Sequence, residues 1–342
     1  MSDVIEVSYT GDLLAHRRCA RAWAYEKYAG FHPYEQVQAM EGRLIHHAME
    51  WLTKFRKDRG SNASRAGLKD QLEHFFRVLW ARGVRTAFTS KDKTIDRVLN
   101  NLFPPKGAAE GKDMHPTVLA AIEGAQHTEY ELRTVRKLVP IEHDGKKRLL
   151  LTGILDLVIQ QEHPLRYKRV WKWTDRKRLI GVPIKADLPA RKNDLEIWDY
   201  KGTRGNSEYL NDYVLQLLTY AHLYQERTGQ RPERCVLFFI NEPKRDDQLL
   251  AIPLDEELLD AALAWTVARV KELQQTVRDF RSDPCSVVGG DKTDGKGRRT
   301  VSEILKPQCT ACGERFGCPT YSGGLKGGGE HPDVDILNVF KN

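Results

Sequence analysis

Apolar and polar positions change their rhythm along this chain. Leu13, Leu14 and Cys19 lead into the aromatic stretch Ala22-Trp23-Ala24-Tyr25-Glu26-Lys27-Tyr28, which Gly30 and Pro33 break. Over residues 36–56, Leu44, Ile45, Ala48, Met49 and Leu52 recur near 3.6 residues, which predicts an amphipathic helix. A further helix is predicted over 68–81, with loops at Gly60-Ser61-Asn62 and Pro104-Pro105-Lys106-Gly107. Near residue 128 the pattern turns β-branched and extended. Residues 128–141 and 148–160 read as strands joined by a hairpin turn at His143-Asp144-Gly145-Lys146. Residues 195–201 read as another strand, and 206–227 as a helix that Gly229 ends in a left-handed cap. A buried strand over 234–240 and a long helix over 255–281 follow. The order predicts an α/β domain carrying helical additions. It suggests three regions: a helical one over 1–125, an α/β core over 126–282 and a Gly-rich tail over 283–342.

Composition narrows the class. The 342 residues are 40% hydrophobic and 30% charged, enough to bury a core and too apolar for a disordered chain. No apolar run approaches the eighteen or so residues of a membrane span. The start, MSDVIEVSYTGDLL, lacks a basic segment followed by an apolar one, so a cytoplasmic protein is expected. A formal net charge of +7 leans toward an anionic partner without proving one.

The chemistry begins with Asp199-Tyr200-Lys201. Residues i and i+2 of a strand share a face, so Asp199 and Lys201 stand together while Tyr200 turns away. A carboxylate can hold a hard cation and a neighbouring amine can orient a bound water; a same-face ion pair is the plainer reading. Asp156 interrupts the apolar strand Leu149-Leu150-Leu151-Thr152-Gly153-Ile154-Leu155-Asp156-Leu157-Val158-Ile159. A carboxylate buried there needs a cation, a metal or a cage of backbone amides. His46 and Glu50 are i,i+4 neighbours on a helix that Gly42 should let approach the sheet closely. His47 is an equal candidate, and either can be an ordinary core or surface histidine. Gln216 and Tyr220 form another i,i+4 pair, on the helix after Lys201.

Each element is weak alone, but the ordered set is specific. G-x-x-x-H (Gly42 to His46), G-x-x-D (Gly153 to Asp156), D-Y-K (Asp199 to Lys201) and Q-x-x-x-Y (Gln216 to Tyr220) resembles the RecB-like branch of the PD-(D/E)XK nuclease superfamily. The resemblance implies a restriction-endonuclease-like core, a mixed central sheet flanked by helices, that cuts DNA with Mg²⁺ or Mn²⁺. It implies that His46, Asp156 and Asp199, helped by the Tyr200 carbonyl, are metal ligands. Lys201 would position the attacking water, and Gln216 and Tyr220 would orient the catalytic residues or the DNA.

Six cysteines remain. Three of them crowd together as Cys309-x2-Cys312-x5-Cys318, with Cys19 far upstream. With these spacings the chain is similar to the iron–sulfur subgroup that includes AddB and the CRISPR spacer-acquisition exonucleases, which implies a [4Fe–4S] cluster on Cys19, Cys309, Cys312 and Cys318. A zinc site on the same thiolates is the structural rival. Cys235 reads as a core thiol and Cys285 as a spare.

One departure from the family pattern is the long stretch between Asp156 and Asp199. Its excess, roughly residues 163–192, carries Arg166, Lys168, Arg169 and Lys172 among aromatic Tyr167, Trp171 and Trp173. Cations attract phosphate and aromatic faces stack on bases, so this arm is expected to grip single-stranded DNA or a partner. A solvated hairpin whose tryptophans pack on their own domain is the alternative. The expected activity is a deoxyribonuclease, an exonuclease on single strands or DNA ends. The rival is a DNA-processing subunit active only with a helicase or CRISPR-adaptation partner. No G-x-x-x-x-G-K-[ST] loop is present to power unwinding.

Overall fold

The computed structural model describes residues 4–30, 37–59, 64–81, 91–103, 116–136, 148–161, 165–203, 205, 209–242, 244–282, 291–293 and 299–301. In chain order these form β1 (Val4–Ser8), a π-helical turn (Tyr9–Leu14), α1 (Ala15–Arg18), α2 (Ala20–Ala29), α3 (Val37–Arg59), α4 (Arg65–Ala81), α5 (Lys91–Leu102) and α6 (Pro116–Glu123). Then come β2 (Ala125–Arg136), β3 (Arg148–Gln160), β4 (Leu165–Asp175), β5 (Ile180–Ala190), β6 (Leu195–Lys201) and α7 (Leu210–Thr228). The remainder is β7 (Arg234–Phe239), α8 (Arg245–Gln248), β8 (Leu249–Pro253), α9 (Glu256–Ser282), β9 (Asp291–Thr293) and β10 (Arg299–Val301). The predicted turn at 143–146 lies outside the described residues.

The β strands other than β9 and β10 make one mixed eight-stranded sheet, ordered β1-β3-β6-β7-β8-β4-β5, with β2 paired to β3. This is the mixed central sheet expected of the α/β class. The sheet branches at β3. β2 lies antiparallel along β3 from Leu149 to Ile159 and occupies one edge throughout. The other edge is shared: β1 pairs with it over Arg148–Thr152, and β6 over Leu157–Gln160. Among the described residues, no strand pairs with Gly153 to Asp156 along that edge.

The chain divides into two compact units, Met1–Tyr9 with Glu35–Ala268, and Thr10–Tyr34 with Arg269–Asn342. In the first unit, Leu44, Ile45, Ala48, Met49 and Leu52 of α3 are fully buried in one core with Leu157 and Ile159 of β3 and Trp198 and Tyr200 of β6. Each leucine, isoleucine or methionine among them contributes roughly 1.5–3 kcal/mol of apolar burial. Helix α7 packs on β2, β3, β6 and β7 and meets α9 through the buried Thr219–Thr266 hydroxyl pair, 3.3 Å apart. Its C-cap is Gly229 at φ +73°, the left-handed conformation predicted. Cys235 is buried as a core thiol. In the second unit, buried Asp12 accepts from Trp23 Nε1 at 3.2 Å and pairs with Lys27 at 3.0 Å. His16 Nε2 and Thr276 Oγ1 lie 2.7 Å apart.

Two expectations are corrected. The N-terminal stretch is not wholly helical, because β1 joins the sheet beside β3. Gly42 is not there for close approach, since a Cβ on it would meet nothing within 4 Å. The basic insertion takes the hairpin form given as the alternative: β4 and β5 pair, and β4 joins the sheet by parallel pairing of Arg169 and Val170 with Leu250 and Ala251 of β8. Among the described residues, no helix is long and apolar enough to cross a membrane.

Candidate active site

The gap along β3 is where the predicted residues meet. Pairing between β3 and β6 stops at Leu157↔Trp198, and one step further along the register lie Asp156 and Asp199. Asp156 and Asp199 are both buried, at 7% and 3% exposure. Side chains fill in for the missing ladder. Asp156 Oδ2 accepts the Tyr200 N–H at 2.8 Å, and its Oδ1 lies 3.2 Å from His46 Nδ1, which α3 brings to the gap. Tyr220 lies over Gly153, where any Cβ would come within 2.5 Å of its Cε1. The Ile154 N–H points at its phenol oxygen, and Gln216 Nε2 donates to the same oxygen at 3.3 Å. Lys201 Nζ donates to Gln216 Oε1 at 3.1 Å and stands 2.6 Å from Asp199 Oδ2.

The electrostatics follow from this packing. Burial works against charge on His46, but the Asp156 carboxylate and its hydrogen bond, with Asp199 behind, outweigh it and hold the imidazole at about 9. For Asp156, burial pushes upward and is overcome by His46, Lys201 and the Tyr200 amide, so its carboxyl sits below the usual range. Asp199 goes the other way. Burial raises it to about 6 despite Lys201, and the Asp156 charge adds to the rise. Two neighbouring carboxylates pulled apart in this way are a pattern common at functional sites.

The donors fit a hard divalent cation. Two carboxylates and an imidazole are ligands that Mg²⁺ and Mn²⁺ accept. Asp199 Oδ2 is buried and, beyond its ion pair with Lys201, takes no aligned hydrogen bond. Among the described residues no three His, Cys, Asp or Glu side chains are drawn into a ready-made metal cluster; His46 pairs with Asp156 and Lys201 with Asp199. Of Tyr200, it is the amide N–H that reaches Asp156.

Other predicted residues lie elsewhere. Glu50 pairs with Lys54 one turn along α3, and His47 stacks on Phe75 with ring centroids 3.9 Å apart. Trp171 is 3% exposed, so its ring is not a surface on which a base could stack; Trp173 packs edge-on against it, centroids 6.0 Å apart. Arg166 and Lys168 both pair with Asp187, at 2.6 and 3.3 Å. Arg169 donates to the carbonyls of Asp247 and Gly205, both at 2.8 Å, and so pins the loop after Lys201 instead of facing solvent. Lys172 is exposed. Of the four cluster cysteines only Cys19 lies among the described residues; it caps α2, its Sγ accepting the Ala22 N–H at 3.5 Å. Cys309, Cys312, Cys318 and Cys285 lie outside them.

The structure adds residues that the sequence pattern did not single out. Lys201 Nζ sits 4.5 Å from the ring centroid of Tyr213, whose place three residues before Gln216 was a legible signal. Asn241 bonds the Gly202 carbonyl, donates to Glu41 Oε1 at 3.0 Å and accepts from Asn101, while Arg97 donates to Glu41 Oε2 at 2.8 Å. Comparison with known proteins gives one family: the model of the PD-(D/E)XK nuclease superfamily matches residues 11–176 and 185–318. No curated protein matches the chain.

Proposed function

Given that the chain belongs to the PD-(D/E)XK nuclease superfamily, we propose that it is a metal-dependent deoxyribonuclease of the RecB-like branch, acting as an exonuclease on single strands or DNA ends. The observation that carries this reading is the meeting of His46, Asp156, Asp199 and Lys201 at the unpaired edge of β3. His46, Asp156 and Asp199 would hold a divalent cation, which would supply positive charge against the scissile phosphate and lower the pKa of water. The protein's own groups do the rest. Lys201, held by Gln216, presents an ammonium beside Asp199, where it can steady an attacking water and the charge that develops on phosphate oxygen. Tyr220 fixes Gln216 and closes the β3 edge, and the Tyr200 amide fixes Asp156. Preorganisation of this kind removes reorientation from the chemical step.

The test is end-labelled linear and circular single-stranded DNA with Mg²⁺ or Mn²⁺. Linear strands should be shortened from an end and circles survive; Asp199→Asn should abolish cutting. Wild-type protein that leaves every substrate intact with both ions overturns the reading. We extend it to a [4Fe–4S] cluster on Cys19, Cys309, Cys312 and Cys318, supported by thiolate spacing alone. Protein purified without oxygen should absorb broadly in the visible, and Cys19→Ser should lose that absorption; colourless protein carrying zinc excludes the cluster.

A further inference from the structure

Tyr213, Gln216 and Tyr220 recur at i, i+3 and i+7 on α7 and so share one face. Two of the three already bear on Lys201, Gln216 directly and Tyr220 through Gln216. Tyr213 bears on it differently, by offering the face of its ring to the ammonium at 4.5 Å. A lysine ends in a point charge on a flexible four-carbon stem, so each further contact narrows where the ammonium can stand. The ring face carries negative quadrupole density and attracts a cation without competing for a proton. With Asp199 Oδ2 at 2.6 Å and Gln216 Oε1 at 3.1 Å, the ammonium has three neighbours of three chemical kinds.

From this arrangement we infer that Tyr213 is a positioning residue for Lys201, its ring face acting as the third wall that aims the amine; the inference rests on the nuclease reading above. It assigns the phenol hydroxyl no part in the reaction. Removing the ring should therefore slow chemistry and leave substrate affinity alone, and a ring without the hydroxyl should serve.

The experiment compares Tyr213→Leu with Tyr213→Phe in protein carrying ¹³C-labelled lysine. In the wild type, the ring current should move the Lys201 side-chain resonances upfield, assigned by their loss in Lys201→Ala. That shift should persist in Tyr213→Phe and vanish in Tyr213→Leu. On labelled single-stranded DNA with Mg²⁺, Tyr213→Leu should lower kcat by about five- to twenty-fold with KM within about two-fold, and Tyr213→Phe should restore most of the loss. A wild-type spectrum without the upfield shift overturns the proposal. So does Tyr213→Leu at full kcat, a rise in KM in place of the fall in kcat, or Tyr213→Phe falling as far as Tyr213→Leu. A wild type that cuts no DNA refutes the nuclease reading instead, and the spectrum still decides whether the ring holds the amine.

Discussion

The ring of Tyr220 occupies the space that a side chain on Gly153 would need: a Cβ there would stand 2.5 Å from Cε1 and 3.0 Å from Cδ1. The ring cannot step aside cheaply, because it is buried and its phenol is held by Gln216 and the Ile154 amide. Gly153→Ala should therefore destabilise the protein by about 1–3 kcal/mol in chemical unfolding, the usual range for overpacking a core. It should also cut activity by about ten-fold or more, since a displaced Tyr220 releases Gln216 and with it Lys201. The control is the double mutant with Tyr220→Ala, whose destabilisation should be less than the sum of the singles. Additive losses would mean the two positions do not meet.

The His46–Asp156 pair gives the metal-free protein a pH dependence of definite sign. In the unfolded chain the imidazole titrates near its ordinary 6.5; in the folded protein it is held at about 9. The folded state therefore binds more protons between those values, and stability falls as pH rises through them. The contribution is whole below 6.5 and gone above about 9. With 37% of the His46 side chain exposed, solvent screening reduces it to on the order of 1 kcal/mol. Asp199, raised to about 6 by burial, adds a decline of the same sign in a lower window, from its ordinary 3.8 up to 6. Unfolding free energies in EDTA should fall from pH 6.5 to 9. His46→Gln should flatten that limb and move the lower one to higher pH, because the imidazolium also lowers Asp199 and Asp156. A limb that His46→Gln does not change would place its origin elsewhere.

Periodicity reveals an element wherever one of its faces is buried and the other is not. Helix α3 is legible because Leu44, Ile45, Ala48, Met49 and Leu52 are all fully buried against the sheet. Helix α5 buries Ile95, Val98, Leu99 and Leu102 at the same spacing, and the polar residues between them make it legible on the same ground. β1 and β8 escape. Five residues are too few for periodicity to separate a strand from a loop, and a strand becomes one only when a neighbour pairs with it. The site is legible as a set of residues and not as a place. Nothing in the one-dimensional pattern says that β1 and β6 share an edge of β3 and leave Gly153 to Asp156 between them. The hairpin is legible as one of two alternatives, but its free charge is not, because a count of cations ignores their partners: Arg166 and Lys168 both meet Asp187, and Arg169 is committed to two carbonyls.

Beyond the β4–β8 pairing, that hairpin is also tied to the core through one carboxylate. Glu196 is fully buried in β6, and four side chains from different strands or their flanks donate to it. Gln161 Nε2 lies at 2.6 Å, Tyr167 Oη at 2.5 Å, Trp198 Nε1 at 2.7 Å and Arg234 Nη1 at 2.6 Å. Arg234 also reaches Asp194 at 2.7 Å, and together these bonds satisfy a charge that burial alone would forbid. Glu196→Ala removes the acceptor shared by all four donors, and it leaves Arg234, itself 8% exposed, with Asp194 as its remaining carboxylate partner. The expected cost is about 3–5 kcal/mol, the range for breaking a buried ion pair. Glu196→Gln keeps the shape but loses the charge and turns one acceptor oxygen into a donor, so it should recover only part of that loss. Because Tyr167 belongs to β4, the same change should loosen the hairpin first. Amide exchange in β4 and β5 should quicken in Glu196→Gln before exchange in β3 and β7 does. Uniform quickening across the sheet would show that the network supports the fold as a whole and does not specifically anchor the hairpin.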